Sequence, residues 1–128
     1  MSYYYSKTVN GDFDTVTEKV NTELQKEGFG VLANIDIQDA LKKKLGVDFR
    51  KYRILGACNP PYALKALEAE NKIGTMLPCN VVVQEINESN IEVTAVNPVQ
   101  SMKAVENDKL IEIARQIGEK LQKVIQAL

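Results

Sequence analysis

The sequence predicts an α+β domain: a single twisted, mostly antiparallel β-sheet with helices packed on one face, in the order β-α-β-α-β-α-β-β-α. Three observations carry this. Short β-branched or aromatic runs, such as Val81-Val82-Val83, alternate with segments whose apolar residues recur at helical spacing. Two late strand-like runs flank a polar turn, the mark of an antiparallel hairpin. The final segment has the broad apolar stripe of a helix lying on a core. With 128 residues, residues 1–128 are expected to form a single domain around one core, burying about two thirds of the surface of the unfolded chain.

Each element has its own local reason. Tyr3 to Val9 is aromatic and β-branched and reads as a strand closed by Asn10-Gly11. Asp12 suits an N-cap, Phe13, Val16, Val20 and Leu24 follow at helical spacing, and Gly28 ends that helix. Phe29 to Ile35 is the second strand. Asp36 caps a short helix through Ile37, Ala40, Leu41 and Leu45, with Lys42, Lys43 and Lys44 in its last turn and Gly46 after it. Tyr52 to Ala57 is the third strand.

Asn59 is expected to cap the next helix, with Pro60 at its first position, where a missing N–H costs nothing. Ala63, Leu64, Ala66, Leu67 and Ala69 carry it on until Gly74 and Pro78 break it. Cys79 to Ile86 and Ile91 to Val96 form the hairpin around Asn87 to Asn90. After Asn97-Pro98 a loop is expected to about Asn107. The last helix then places Leu110, Ile113, Ala114, Ile117, Leu121, Val124 and Leu128 on one face. Gly118 inside that helix points to a close packing contact, because glycine there costs roughly 1 kcal/mol against alanine.

Composition narrows the function. Net charge is −1, with 45% hydrophobic and 26% charged residues, so no global field draws the chain to nucleic acid or to acidic membranes. No run reaches the roughly 18 apolar residues of a membrane span, and Met1 to Tyr5 does not read as a signal peptide. The expected address is therefore the cytoplasm, with both cysteines as thiols rather than a disulfide framework. The chain has no histidine. That removes Ser-His-Asp and Cys-His catalysis and the usual imidazole ligands of zinc and haem, and it weighs against an enzyme. No metal site is expected, and no cofactor is indicated.

The chemistry that remains centres on the two cysteines. Cys58 stands in Gly56-Ala57-Cys58-Asn59-Pro60-Pro61, where a strand stops and a helix starts. Free N–H groups and the helix dipole there favour a thiolate or a bound anion. Cys79 stands in Leu77-Pro78-Cys79-Asn80-Val81, at the head of an apolar strand where packing alone explains a small residue. Twenty residues between them match no zinc-knuckle spacing, and the sequence leaves their separation open. A second cluster, Lys42, Lys43, Lys44, Arg50, Lys51 and Arg53, could hold an anion, although a solvated helix end and a strand edge explain it as well.

These motifs resemble the bacterial and archaeal domain-of-unknown-function family 302. The likeness runs through Tyr52-Arg53-Ile54-Leu55-Gly56-Ala57-Cys58-Asn59-Pro60, Ile73-Gly74 and Leu77-Pro78-Cys79-Asn80-Val81-Val82-Val83, with Glu27-Gly28-Phe29, Asp36-Ile37, Asn97-Pro98 and Met102 also fitting. It covers nearly the whole chain. It implies a small α+β fold, dimeric in some members, with no established reaction.

The favoured function is a homodimeric binding module for a small ligand, an anion or a thiol-seeking species, at Cys58, Asn59, Cys79 and Asn80. The competing one is a thiol-dependent enzyme or redox protein with Cys58 as nucleophile. A purely structural domain is the third. The homodimer is expected from the apolar face of the last helix and from Tyr3, Tyr4 and Tyr5 on an edge strand.

Overall fold

The chain runs through β1 (Tyr4–Asn10), α1 (Phe13–Lys26), β2 (Gly30–Asp36), α2 (Ile37–Leu45), β3 (Tyr52–Cys58), α3 (Pro60–Ala69), a 3₁₀ turn (Ile73–Met76), β4 (Cys79–Asn87), β5 (Asn90–Val96), α4 (Pro98–Ser101) and α5 (Asp108–Gln126). These bounds come from a computed structural model that describes residues 2–128. The five strands pair in the order β1-β5-β4-β3-β2, and every neighbouring pair is antiparallel.

Alternation along the strands divides the sheet into two unlike faces. Leu55 and Ala57 of β3, Val81 and Val83 of β4, and Ile91, Val93 and Ala95 of β5 share one face and are all buried. Phe13, Val16, Val20 and Leu24 of α1 and Ile117, Leu121, Val124 and Ile125 of α5 close over them as one core. Asp12 starts α1 by accepting a bond from the Thr15 N–H at 3.2 Å. The opposite face carries Tyr4, Ile35, Ile54 and Val82, all half-buried or exposed. Helix α2 buries none of its residues.

Three local features differ from the sequence reading. The expected loop after Asn97 contains α4, because the Asn97 carboxamide accepts from the Val99 N–H at 3.1 Å while Pro98 pre-sets the first turn. The hairpin is tighter than Asn87–Asn90: the Asn87 side chain accepts from the N–H groups of Ser89 and Asn90, both at 3.1 Å, leaving Glu88 and Ser89 as the loop. The break after α3 includes the 3₁₀ turn and a cis Leu77–Pro78 peptide bond. At Gly118 the expected close contact is present, since a Cβ there would lie 3.1 Å from the Tyr5 hydroxyl.

Candidate ligand-binding site

A second, smaller core lies beside the first and consists of Ala66, Ile73, Met102, Leu110 and Ala114. Where the two cores meet, they leave a cavity of about 160 Å³. Strand ends supply its floor with Ala57, Cys58 and Cys79, α3 supplies Tyr62, Ala63, Ala66 and Leu67, and α5 supplies Ile113, Ala114 and Ile117. Met102, Leu77, Pro78, Phe29 and Leu32 complete the wall. Alanines at Ala63, Ala66 and Ala114 leave room that larger side chains would fill. Apart from the thiols, the only polar side chains around it among the described residues belong to Asn59 and Tyr62, and none of the described residues that line it is charged.

The structure brings Cys58 and Cys79 to this one cavity, resolving what their spacing left open. Antiparallel pairing sets Ala57 opposite Cys79, so Cys58 is one residue along the neighbouring strand. Both are free thiols, Cys58 half-buried and Cys79 buried. Burial pushes the Cys79 thiol up to about 11, with the nearby charge of Cys58 adding to the effect. Cys79 is therefore a protonated thiol near neutral pH.

Asn59 lines the cavity, but it does not cap α3 as the sequence suggested, and Asn80 lies away from the cavity. Asn59 occupies the N-cap position of α3, but its side chain makes no cap bond. Its Nδ2 instead donates to the Glu27 carbonyl at 3.0 Å, tying the end of α1 to the start of α3 across 32 residues. The helix is started by its backbone oxygen, which accepts from the Ala63 N–H at 2.9 Å, and by Pro60. Asn59→Ala should still cost about 1–3 kcal/mol, now because the bond to Glu27 is lost within a buried contact. Asn59→Asp separates the two roles: it retains a capping oxygen but loses the donor, so a denaturation midpoint as low as that of the alanine variant confirms the tie. A midpoint restored to that of the native chain would return Asn59 to capping. Asn80, facing away from Cys79 along β4, is exposed and does not line the cavity.

The basic cluster disperses. Lys42 pairs with Asp48 and Lys43 with Asp39, each at 2.9 Å, and Arg53 lies 3.4 Å from Asp36. Arg50 stacks over Phe49 at 4.4 Å and donates to Gln84. No anion pocket forms from these residues as a set. The sequence reading missed Tyr62, Met102 and the alanines of the wall. Met102 stands out in the sequence only as fitting the family pattern; for the α3 residues the signal is that this helix carries apolar residues on more than one side, with Leu64 and Leu67 exposed while Ala66 is buried.

This is an α+β domain with an uncharged apolar cavity floored by two thiols. Residues 5–128 match the family described as Domain of unknown function DUF302, and the chain belongs to it. The fold is similar to the crystal structure of the uncharacterized conserved protein DUF302 from Bacillus stearothermophilus, with a TM-score of 0.90, 28% sequence identity and 98% of each chain covered. No curated protein matches the sequence.

Proposed function

We propose that this protein is a binding module for a small, uncharged, apolar ligand held in the cavity above Cys58 and Cys79. The observation that carries the reading is the lining: a solvent-connected apolar recess with no charged group among the described residues and a half-buried thiol in its wall. Its volume of about 160 Å³ matches the ~150 Å³ that accommodates a benzene-sized apolar group, although one side opens to solvent past Leu32 and Leu67. An anion finds no cation there to offset its desolvation. No histidine or carboxylate lines the cavity to serve Cys58 as a general base, which favours binding over thiol catalysis. A reducing cytoplasm suits two free thiols, and no helix among the described residues is long and apolar enough to cross a membrane.

N-alkylmaleimides test this directly, because the thiol adds across the double bond and the adjacent carbon takes the proton. N-butylmaleimide should label Cys58 at least about tenfold faster than N-methylmaleimide, relative to the same pair on glutathione, since each buried methylene contributes about 0.8 kcal/mol. Peptide mapping assigns the label. Equal relative rates would sink the apolar reading.

The module is further proposed to work as a homodimer, keeping the tyrosines of the sequence argument but not the α5 face. The apolar face of α5 is covered within the chain, with Leu110, Ile117, Leu121 and Val124 all buried. What stays open is the sheet face of Tyr4, Ile35, Ile54 and Val82, with Tyr3 beside it 71% exposed. Five strands ~4.8 Å apart and about seven residues long outline roughly 550 Å². Side-chain relief brings that towards the ~800 Å² per partner of a stable interface. Ile54→Lys should convert a dimer of the 14.3 kDa chain to monomer in light scattering; a native chain already monomeric at tens of micromolar overturns it.

A further inference from the structure

We propose that Cys58 and Cys79 act together as a dithiol clamp for a soft thiophilic centre that brings two positive charges and an apolar substituent, a monoaryl arsenic(III) species being the simplest member of the class. This inference rests on the binding reading above and names the ligand class of the same site.

Three observations lead to it. The first is placement. Both cysteines line one cavity, and Cys79 sits opposite Ala57, the neighbour of Cys58. A strand spacing of ~5 Å and a rise of ~3.4 Å put their Cα atoms roughly 6 Å apart, within the span that two cysteine sulfurs can bridge. Cys58 is the last residue of β3, paired with Gly30 on the far side from Cys79, and it reaches the cavity at the strand end, where its charge acts on Cys79.

The second observation is the donor set. Besides the two thiols the cavity offers the Met102 thioether, no carboxylate and no imidazole. The Asn59 Nδ2 is already committed to Glu27. Sulfur donors alone select soft centres over hard oxygen-seeking cations. Zinc, which takes four nitrogen, sulfur or oxygen ligands, is not served, since no group of three or more histidine, cysteine or acidic residues comes together among the described residues.

Charge is the third. Two thiolates around a univalent centre would leave a net negative charge against apolar walls with no cation among them, and an unpaired buried charge is costly. A doubly charged centre closes the account at zero. An aryl group on that centre then occupies the space between α3 and α5. The reaction balances without an oxidant. Two As–S bonds form, two S–H bonds and the As=O bond break, and the two protons leave with the oxygen as water. Arsenic stays trivalent and both sulfurs keep their oxidation state.

Phenylarsine oxide added to the reduced full chain tests the clamp. One equivalent should remove both titratable thiols, give a mass gain of one phenylarsenic less two hydrogens, and be reversed by 2,3-dimercaptopropanol. Cys58→Ser and Cys79→Ala should each weaken binding at least about a hundredfold, as expected when a second tethered contact is lost. Cys58 is only half-buried, so Cys58→Ser decides the matter even if the Cys79 variant does not fold. A thiol still titratable at saturation, or native affinity in Cys58→Ser, overturns the clamp. If the clamp fails while N-butylmaleimide retains its rate advantage, the apolar binding reading survives without it. If both thiols are bridged but that advantage is absent, the clamp stands and the apolar reading falls.

Discussion

Leu121→Ala should lower the free energy of unfolding by about 2–5 kcal/mol, the range for deleting a fully buried leucine and leaving a void. Leu121 has 0% of its surface exposed and sits in α5 against the sheet core with Val20, Leu24 and Val93. Rigid strands lie on one side and α1 on another, so the surroundings have little freedom to collapse into the gap. Ile111, on the outer side of the same helix and 61% exposed, provides the contrast: Ile111→Ala should change stability by less than about 0.5 kcal/mol. Urea unfolding of both variants checks the pair. Equal effects would mean that α5 is not held by this face.

Gly56→Ala should cost about 1–3 kcal/mol and also disturb the cavity. A Cβ at Gly56 would lie 2.7 Å from the Pro78 Cγ and 3.2 Å from the Ala33 Cβ. Neither neighbour can swing aside, since one is a ring closed on the backbone and the other a methyl on the next strand. Overpacking of this kind forces backbone shifts at that cost. Pro78 also lines the cavity beside Cys79, so the displacement should shrink the advantage of N-butylmaleimide over N-methylmaleimide at Cys58. A stable variant with unchanged labelling would show that Pro78 has another place to go. Gly30→Ala is the matched control on the neighbouring strand, where nothing lies within 4 Å of a new Cβ.

Much of the fold is written locally. The helical spacing of Phe13, Val16, Val20 and Leu24 needs no partner to be seen, and all four are buried as that spacing requires. Valines on both sheet faces marked β4, and the Asn87 turn fixed it as half of a hairpin with β5. Asn59 shows where such reasoning stops. A capping residue before Pro60-Pro61 is a local pattern, yet the side chain binds Glu27, whose position depends on how α1 packs. The dimer argument from α5 met the same limit. An apolar stripe announces that something covers it, and only the tertiary structure says that the cover is the chain's own sheet.

The candidate site divides in the same way. Sequence alone determined the α+β class, the position of each cysteine at a strand end, and the lack of any imidazole, because turn chemistry, periodicity and composition are properties of neighbouring residues. The meeting of Cys58 and Cys79 was decided by the antiparallel register of β3 and β4, a contact across 21 positions of the chain. The apolar, uncharged character of their cavity was decided by α3, α5 and the Met102 turn closing over them. Long-range packing selects among arrangements that local preferences leave equal in energy, which is why the thiols were legible as residues and their shared pocket was not.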